Sequence, residues 1–558
     1  MRAPAQALAL ATACCFATGC LPRGPAPAGR RLLADGTAYD VLFVPGPAGS
    51  PSRLATVKIT SDDGSGPLSL YAVQETAGDD ELGTEIFLTD HLPVQDIACG
   101  GTSCVRAIDS QGRMFVQRFR SSTPAGQGYG LFDQSVARLD LTNGQVMDFG
   151  SMSALVGTFA SGTSFAYTIQ GSLRVRDTDD RETRFEKVTK AVVVNDALYF
   201  LTQDGAMGQG TVRRLSGPPF DAPQPVADQV TAFSTFPPAP LLVLCRSRPD
   251  DSICATSVLD LVTGQETPAP IDSGVSSISP SGRYLFTVRY DPNPSDINDT
   301  AATLSLFDRT LGSERLTTLT ELNQSFWRPG HDEIWFLGTA LGADQTLIAP
   351  EDRRQTFWRW GADADPSPVL PDQTIYIAAA TDNVNGPFTP DGRFLITTPA
   401  PPQSDPPAVT LRDAESPAAP VLTLNPAGTI LADVRQLPDG RLVVADAISD
   451  LSRADIYLAD PTTGTMQAIA HGGHLVAIGA TRVLALLDWE AGGASGSLSL
   501  IDLATGAITR LAQQVHAVAI DAPVAAGADP LAPGTRVAYL SQNRVSSPYD
   551  GLWLTSLP

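Results

Sequence analysis

The stretches Ser279-Pro-Ser-Gly-Arg-Tyr-Leu-Phe286 and Leu304-Ser-Leu-Phe-Asp308-Arg-Thr-Leu-Gly312 decide the fold of this 558-residue chain. The first places a Pro-x-Gly turn directly before an apolar strand. The second is an alternating strand that ends at an aspartate, followed by three turn residues and a glycine. Both patterns recur, which identifies a repeat array. Other clear copies are Thr389-Pro-Asp-Gly-Arg-Phe-Leu-Ile396, Leu437-Pro-Asp-Gly-Arg-Leu-Val-Val444, Val136-Ala-Arg-Leu-Asp140-Leu-Thr-Asn-Gly144, Ser257-Val-Leu-Asp260-Leu-Val-Thr-Gly264, Ile456-Tyr-Leu-Ala-Asp460-Pro-Thr-Thr-Gly464 and Leu498-Ser-Leu-Ile-Asp502-Leu-Ala-Thr-Gly506.

The spacing of these aspartates indicates the size of one repeat. Asp260 and Asp308 are 48 residues apart, and Asp460 and Asp502 are 42 residues apart. Two consecutive hairpins of this length form a four-stranded antiparallel sheet, which is one blade of a β-propeller. A carboxylate at the end of a strand can accept hydrogen bonds from the amides of the following turn. The repeated aspartates are therefore predicted to be structural.

The combination of S/T-P-D-G-R before an apolar strand with a D-x-x-T-G hairpin resembles the PD40 and TolB-like β-propeller repeat over most of the chain after residue 90. The resemblance implies an all-β fold of four-stranded antiparallel blades. Counting periods from residue 40 predicts 10 to 12 blades. Because one ring usually holds about 4 to 8 blades, two propellers in tandem are predicted, with one large ring as the alternative. The resemblance says little about function, because such propellers serve as scaffolds, receptors and enzyme caps.

The N terminus resembles a bacterial lipoprotein signal. A positive start and a small-residue apolar run lead to Ala17-Thr-Gly-Cys20, which is similar to the lipobox after which the cysteine carries a lipid. Leu21 after Cys20 is typical of lipoproteins sent to the outer membrane. Ordinary secretion, with cleavage after Ala13 or Ala28, is the alternative. Either route predicts an exported protein of the cell envelope.

These features predict four segments along the chain. Residues 1–19 form the signal peptide, and residues 20–36 form the lipidated cysteine with a flexible, Pro-rich tether. Residues 37–272 form N-terminal propeller blades, and residues 273–558 form C-terminal TolB-like blades. The Pro-rich stretch 236–240 is the alternative junction. We also expect the extended segment Tyr39–Val44 to pair with Leu552–Thr555 and so close a ring.

The cysteines of the folded part fall into two close couples. Cys99 lies near Cys104, and Cys245 lies near Cys254. Because an exported chain meets an oxidising compartment, each couple is predicted to form a local disulfide. A four-cysteine zinc site is the alternative, but its C-x4-C and C-x8-C spacing is poor.

Charge and composition bear on possible partners. The formal net charge of −22 argues against nucleic acid, because binding a phosphate backbone requires clustered lysine and arginine. We predict no cofactor, a membrane connection through the lipid alone, and an envelope protein or peptide as the partner. The chain has four tryptophans close together, which are predicted to pack between blades and alternatively to line a ligand surface; they are Trp327, Trp335, Trp358 and Trp360.

We predict no metal site, although two groups of residues resemble metal ligands weakly. His471 and His474 are the only close pair among five histidines, and we interpret His471-Gly-Gly-His474 as a blade-connecting loop. Asp291, Asn293 and Asp296 belong to an oxygen-rich insertion that could suit calcium, but the glycine and the closing glutamate of an EF-hand are missing.

The motifs favour binding over catalysis. No G-x-S-x-G nucleophile elbow, Walker A loop or dinucleotide-binding glycine motif after a strand occurs in the sequence. The predicted function is that of an envelope-anchored scaffold or protein-binding module that is not an enzyme. The alternative is an exported hydrolase or lyase acting on glycans or peptides at a central funnel.

Overall fold

The computed structural model describes residues 30–34, 40–47, 50–59, 68–74, 84–92, 107–119, 134–203, 208–237, 239–247, 254–269, 275–293, 296–341, 354–361, 364–375, 387–399, 407–425, 430–447, 454–489, 495–522, 528–541 and 551–558. Within these ranges the regular elements are 42 β-strands, and none of them is an α-helix. Strands that are neighbours in sequence are neighbours in antiparallel sheets. The predicted all-β, blade-type architecture is confirmed. Among the described residues, no helix is long and apolar enough to span a bilayer.

The chain divides into two compact units. Unit 1 holds the described residues within 1–170, 174–182 and 473–558, and unit 2 holds those within 171–173 and 183–472. Each unit is built from blades, in which four strands follow one another across the sheet. The junction predicted near residue 272 stays a prediction, and so does the number of rings.

Unit 2 begins with five separate four-stranded sheets. They are β14 (Val188–Val194), β15 (Ala197–Thr202), β16 (Gly210–Leu215) and β17 (Gln224–Val230); β18 (Ala232–Thr235), β19 (Leu241–Ser247), β20 (Cys254–Asp260) and β21 (Glu266–Pro268); β22 (Val275–Ile278), β23 (Tyr284–Asn293), β24 (Asp296–Asp308) and β25 (Ser313–Leu319); β26 (Glu321–Trp327), β27 (Ile334–Thr339), β28 (Thr356–Trp360) and β29 (Ser367–Pro371); and β30 (Gln373–Ile375), β31 (Phe394–Pro399), β32 (Thr410–Asp413) and β33 (Pro420–Thr423).

Three further sheets lie mainly in unit 1. They are β2 (Asp40–Val44), β3 (Arg53–Ile59), β4 (Leu68–Gln74) and β5 (Thr84–Leu92); β6 (Ala107–Ile108), β7 (Met114–Phe119), β8 (Gln134–Leu139) and β9 (Val146–Ser151); and β10 (Ser153–Phe159), β11 (Ser164–Ile169), β12 (Ser172–Asp177) and β13 (Glu182–Phe185).

The remaining strands form one ten-stranded sheet. They are β1 (Arg30–Ala34), β34 (Ile430–Gln436), β35 (Leu442–Ala447), β36 (Ala454–Asp460), β37 (Thr465–Ile478), β38 (Arg482–Leu487), β39 (Gly496–Asp502), β40 (Ile508–Ile520), β41 (Arg536–Ser541) and β42 (Gly551–Ser556). The long strand β40 is the last strand of one blade, where Ile508 pairs with Ile501, and the first strand of the next, where Ile520 pairs with Val537. Strand β37 is shared in the same way, so this sheet contains three blades. With the eight separate sheets, the described residues form eleven blades, within the predicted 10 to 12.

Apolar faces of consecutive blades pack against each other within each unit. In unit 2, Tyr199 and Leu201 of one blade meet Phe233 of the next. In unit 1, Val57 and Met114 belong to one buried cluster shared by the first two blades. In β15, Leu198 and Phe200 on the opposite face of the strand are buried as well, as expected for a sheet whose two faces are both covered by neighbours.

The repeated aspartates cap turns, as predicted. The carboxylate of Asp140 accepts a hydrogen bond from the amide of Thr142 at 2.8 Å, and that of Asp460 accepts one from the amide of Thr462 at 2.8 Å. Asp308 receives the amide of Thr310 at 2.8 Å in the same way. The same arrangement also occurs at Asp109, Asp177, Asp260, Asp413 and Asp502.

The strand that joins the two ends of unit 1 differs from the expected one. Arg30–Ala34, and not Tyr39–Val44, pairs with β42, with Leu32 opposite Trp553. Asp40–Val44 is instead the first strand of its own blade and pairs with β3. The physical reason is burial: Val41 and Phe43 pack with Leu540 and Leu552, a position that an outermost strand cannot take. Part of the segment predicted as a tether is therefore a strand.

Candidate functional site

The first strands of the blades in unit 2 share a polar feature. In a propeller the blades surround a central channel, and the first strand of each blade lies nearest to it. Each of the six first strands carries two consecutive polar residues without a carboxylate. These pairs are Thr189-Lys190, Ser234-Thr235, Ser276-Ser277, Asn323-Gln324, Gln373-Thr374 and Arg435-Gln436.

Six of these residues, in four consecutive blades, are exposed. We call them the polar stripe: Thr189, Lys190, Ser234, Ser276, Asn323 and Gln324. The stripe contains three hydroxyl groups, two amides and one ammonium group. The hydroxyl and amide groups both donate and accept hydrogen bonds, and the ammonium group donates them. The stripe can therefore bind a ligand through hydrogen bonds.

Three members of the polar stripe are the extra residues of β-bulges. In β14, Val188 pairs with Thr202 and Lys190 pairs with Leu201, so Thr189 is an extra residue. The strand registers leave Ser276 as the extra residue of β22 and Asn323 as that of β26. A bulge removes one residue from the ladder and redirects its side chain, which is why bulges often lie beside functional sites.

Two of the remaining members of the polar pairs, Ser277 and Gln436, connect neighbouring blades. The indole N–H of Trp327 donates to the hydroxyl of Ser277 at 3.0 Å, which joins β26 to β22. The side-chain amide of Gln436 donates to Asp391 of the preceding blade at 2.6 Å. The ammonium group of Lys190, a stripe member, lies 5.5 Å from the ring centre of Phe233 on β18. The first strands of neighbouring blades in unit 2 are thus in direct contact.

The first strands of unit 1 have a different character. Bulges recur there, and the extra residues are Val156 in β10, Val476 in β37 and His516 in β40. Most neighbouring positions are half-buried aliphatic residues, such as Val518 and Ile520. β40 also carries two consecutive exposed polar residues, Gln513 and Gln514, so the units differ in how often such residues occur on their first strands.

The histidine pair lies in a strand, and the predicted loop is wrong. His471 and His474 both belong to β37, because the strand continues from one blade into the next. His471 is exposed, and its Nδ1 lies 3.2 Å from the carboxylate of Asp455. His474 contacts the ring of Trp489 at 6.1 Å between ring centres. In the part of the chain that the structure describes, no group of three or more histidine, cysteine, aspartate or glutamate side chains could hold a metal.

The oxygen-rich insertion extends a hairpin. Strands β23 and β24 continue through it, with Asp291 opposite Ala301 and Asn293 opposite Asp296. The side chains of Asp291, Asn293 and Asp296 lie outside the described ones.

The cysteines are only partly described. Cys20, Cys99 and Cys104 lie outside the described residues. Cys245 is disulfide-bonded, and Cys254 begins the strand that pairs with the strand of Cys245. Because the side chain of Cys254 is outside the described ones, the Cys245–Cys254 disulfide stays a prediction, as does the Cys99–Cys104 disulfide.

The tryptophans pack between blades. Trp335 and Trp360 are fully buried, and Trp335 packs edge-on against Phe388 of the next blade, with ring centres 5.5 Å apart. Trp358 stacks on Phe336 at 6.1 Å. Three of the four tryptophans are thus part of the blade core, and Trp327 is the one that reaches another first strand.

Comparisons with known proteins reach no family. No protein-family model matches the chain, and no curated protein matches it. The β-propeller domain of the trilobed protease from Pyrococcus furiosus is 12% identical over 58% of this chain and 96% of that domain, with a TM-score of 0.28. A eukaryotic initiation factor is 13% identical over 69% of this chain and 87% of its own, with a TM-score of 0.34. TolB from Agrobacterium tumefaciens is 13% identical over 42% of this chain and 89% of its own, with a TM-score of 0.21. Nothing about function follows from these similarities.

Proposed function

We propose that this chain is a binding or scaffold module of the cell envelope that works without catalysis. The lipobox-like sequence at Cys20 supports export and a lipid anchor in the outer membrane. The polar stripe supports a role in binding, and it is the single observation that carries the proposal. The partner is an envelope protein or peptide, and the funnel side of unit 2 is the surface that receives it.

The use of the carboxylates supports the non-enzymatic part of the proposal. The carboxylate of Asp260 accepts hydrogen bonds from two turn amides, those of Val262 and Thr263, both at 2.9 Å. Burial opposes ionisation of Asp260, but these amides, together with the Thr263 hydroxyl and the charge of Arg309, outweigh it and lower its pKa. An aspartate that stays ionised and bonded to its own turn is a structural group. The carboxylates that repeat with the blades are used in this way.

Isolation of the protein from native membranes tests this proposal. We compare the wild-type chain with a stripe variant that carries Ser276→Ala, Asn323→Ala and Gln324→Ala. The matched control carries Gln224→Ala, Thr318→Ala and Thr423→Ala, which are exposed polar positions on the outermost strands β17, β25 and β33. The proposal expects a reproducible partner protein with the wild type and the control, and its loss from the stripe variant.

Three results would contradict the proposal. The first is equal recovery of the partner with the stripe variant. The second is a glycosidase, esterase or peptidase turnover that disappears when one carboxylate of a first strand is replaced. The third concerns the lipid anchor. Cys20→Ala should release the protein from membranes. If this variant stays in the membrane fraction and the wild type takes up no labelled fatty acid, lipidation is refuted.

A further inference from the structure

The chemistry of the polar stripe indicates which kind of partner it receives. Hydroxyl and amide side chains hydrogen-bond to neutral polar groups, and they can serve both the N–H and the C=O of a peptide unit. An extended polypeptide presents such groups along its whole length. A row of hydroxyls and amides across four neighbouring first strands matches this pattern.

The charges of the chain and of the stripe restrict the class of ligand further. The chain carries a formal net charge of −22, yet the exposed residues of β14, β18, β22 and β26 include one cation, Lys190, and no carboxylate, and Glu321 of β26 is half-buried. A strongly anionic polymer would be repelled by the protein as a whole. A ligand of low charge with a single carboxylate would instead meet hydrogen-bonding groups along the stripe and one ammonium group at its end. Phe233, beneath the Lys190 ammonium group, holds that charge in place.

The side chains of the stripe favour a peptide over a glycan as the ligand. Sugar rings are commonly bound by stacking on exposed aromatic faces together with carboxylates that accept from their hydroxyls. The stripe has no member of either kind, and the neighbouring Phe233 is 1% exposed. The ring of Trp327 is half-buried, and its N–H is already bonded to Ser277.

The geometry points to an extended polypeptide segment of low charge as the ligand of the polar stripe, with one carboxylate of that segment bound by Lys190. This inference rests on the proposed binding function and adds the class of ligand to it. The carboxylate is either the C terminus of the segment or an acidic side chain within it.

The test uses the full-length protein in detergent and a library of immobilised twelve-residue peptides of random sequence. Every peptide is made both as the free acid and as the C-terminal amide, and an array of neutral oligosaccharides is tested in parallel. Peptides that bind are then measured in solution by fluorescence polarisation against the wild type, the triple stripe variant, Lys190→Met and the outer-strand control. Thermal unfolding of each variant confirms that it is folded.

The inference expects peptides of low charge among the binders. Their affinity should fall at least about tenfold in the stripe variant and stay unchanged in the control, because several hydrogen bonds are lost. Lys190→Met should weaken binding by about tenfold and abolish the preference for a carboxylate. Loss of binding in the C-terminal amides identifies the terminus as the anion, and retention identifies an acidic side chain.

Other results would overturn the inference. Binding of oligosaccharides that is lost in the stripe variant would refute a peptide ligand and leave the binding function standing. A second such result is that no peptide or oligosaccharide binds, although the stripe variant still loses the native partner. It would also refute a peptide ligand and leave the binding function standing. Equal loss of peptide binding in the stripe variant and the outer-strand control would refute the assignment of the site itself.

Discussion

Aspartates at strand ends are placed in two opposite environments. The hydroxyl and the amide of Thr505 hold the pKa of Asp502 below its ordinary value. Asp40, at the start of β2, is instead partly buried, and burial raises its pKa to about 6 although the amide of Val41 acts against it. The same residue type thus stabilises a turn in one place and is destabilising when ionised in the other.

The Asp40 carboxyl predicts an unusual pH dependence. Its folded pKa lies above the unfolded value, so its stabilising contribution is present below about pH 4 and is lost as the pH rises through about 6. Asp40→Asn keeps an oxygen for the Val41 amide and removes the charge. We expect this variant to be more stable at pH 7 by ~1–3 kcal/mol, since one pKa unit corresponds to about 1.4 kcal/mol and partial exposure screens some of the effect.

Denaturant unfolding of the wild type and Asp40→Asn at pH 4, 5, 6 and 7 measures this difference. It should grow from near zero at the lowest pH to its full size at pH 7. A difference that is constant across the series would mean that Asp40 has an ordinary pKa.

Glycines in the Pro-x-Gly turns illustrate a second residue-scale effect. Gly392 and Gly440 both have positive φ values, 69° and 86°. A Cβ on Gly392 would clash with the carbonyl oxygen of Pro329 in the preceding blade, whereas a Cβ on Gly440 would meet nothing within 4 Å. The turn of Gly440 therefore has space for a Cβ, whereas the turn of Gly392 is packed against the preceding blade.

This difference predicts unequal costs for the same substitution. Gly440→Ala should cost about 1 kcal/mol, from backbone strain alone. Gly392→Ala should cost at least ~1–2 kcal/mol more, because the Arg328 guanidinium also donates to the Gly392 carbonyl at 2.7 Å and the contact must open. Equilibrium unfolding of both variants provides the comparison. Equal losses would show that the turns do not interlock between blades.

At the scale of the element, the two sequence motifs are joined inside one blade. Arg283 of the Pro-x-Gly motif donates to Asp308 of the second motif at 2.6 Å, and Tyr284 lies opposite Asp308 in the strand register. Burial raises the pKa of Asp308, but the hydrogen bonds from Arg283, Thr310 and Leu311 outweigh it and lower that pKa. The start of the second strand is thereby fixed to the end of the third.

Asp308→Asn tests this connection. The lowered pKa means that the ionised Asp308 contributes stability above its unfolded pKa, and that the contribution is lost as the pH falls through the folded value. We expect a loss of about 1–2 kcal/mol at pH 7, since a charge-assisted hydrogen bond is removed, and a smaller loss at pH 3. Thermal unfolding at both pH values is the measurement. A loss of equal size at both pH values would contradict an ionic contribution.

Local signals explain which elements could be predicted. The Pro-x-Gly and aspartate turns are short-range patterns, so the blades and their caps follow from the residues themselves. The pairing of Arg30–Ala34 with β42 joins segments more than 500 residues apart, and no local turn marks it. The histidines of His471-Gly-Gly-His474 were misplaced because two glycines suggest a loop, whereas β37 passes through them with Gly472 at a φ of 59°.

The polar stripe was missed for a related reason. Its members depend on bulges, and a bulge is defined by the register of two strands and not by one strand alone. A signal was nevertheless present. Ser276-Ser277 lies just before the Pro-x-Gly turn at Pro280, and Asn323-Gln324 lies five residues before the Pro329-Gly330 turn; each pair breaks the alternation expected of a regular strand. Locating each turn motif first and then searching upstream for such pairs would have identified the candidate site.

At the scale of the whole molecule, blades of one design carry two kinds of first strand. Those of unit 2 present hydroxyl and amide groups, and those of unit 1 present mainly aliphatic groups. The turn motifs are shared by both units. The framework is therefore repeated along the chain, while the side chains of the first strands differ between the two units.

Site-specific cross-linking in native membranes can show whether a partner binds at the first strands of unit 2. A photoreactive phenylalanine analogue replaces either Ser276 of the polar stripe or Thr318 of the outermost strand β25, both exposed residues of one blade. We expect a discrete cross-linked partner from position 276 that is absent from position 318. Cross-links from position 318 alone, or equal products from both positions, would contradict the assignment of binding to the first strands of unit 2.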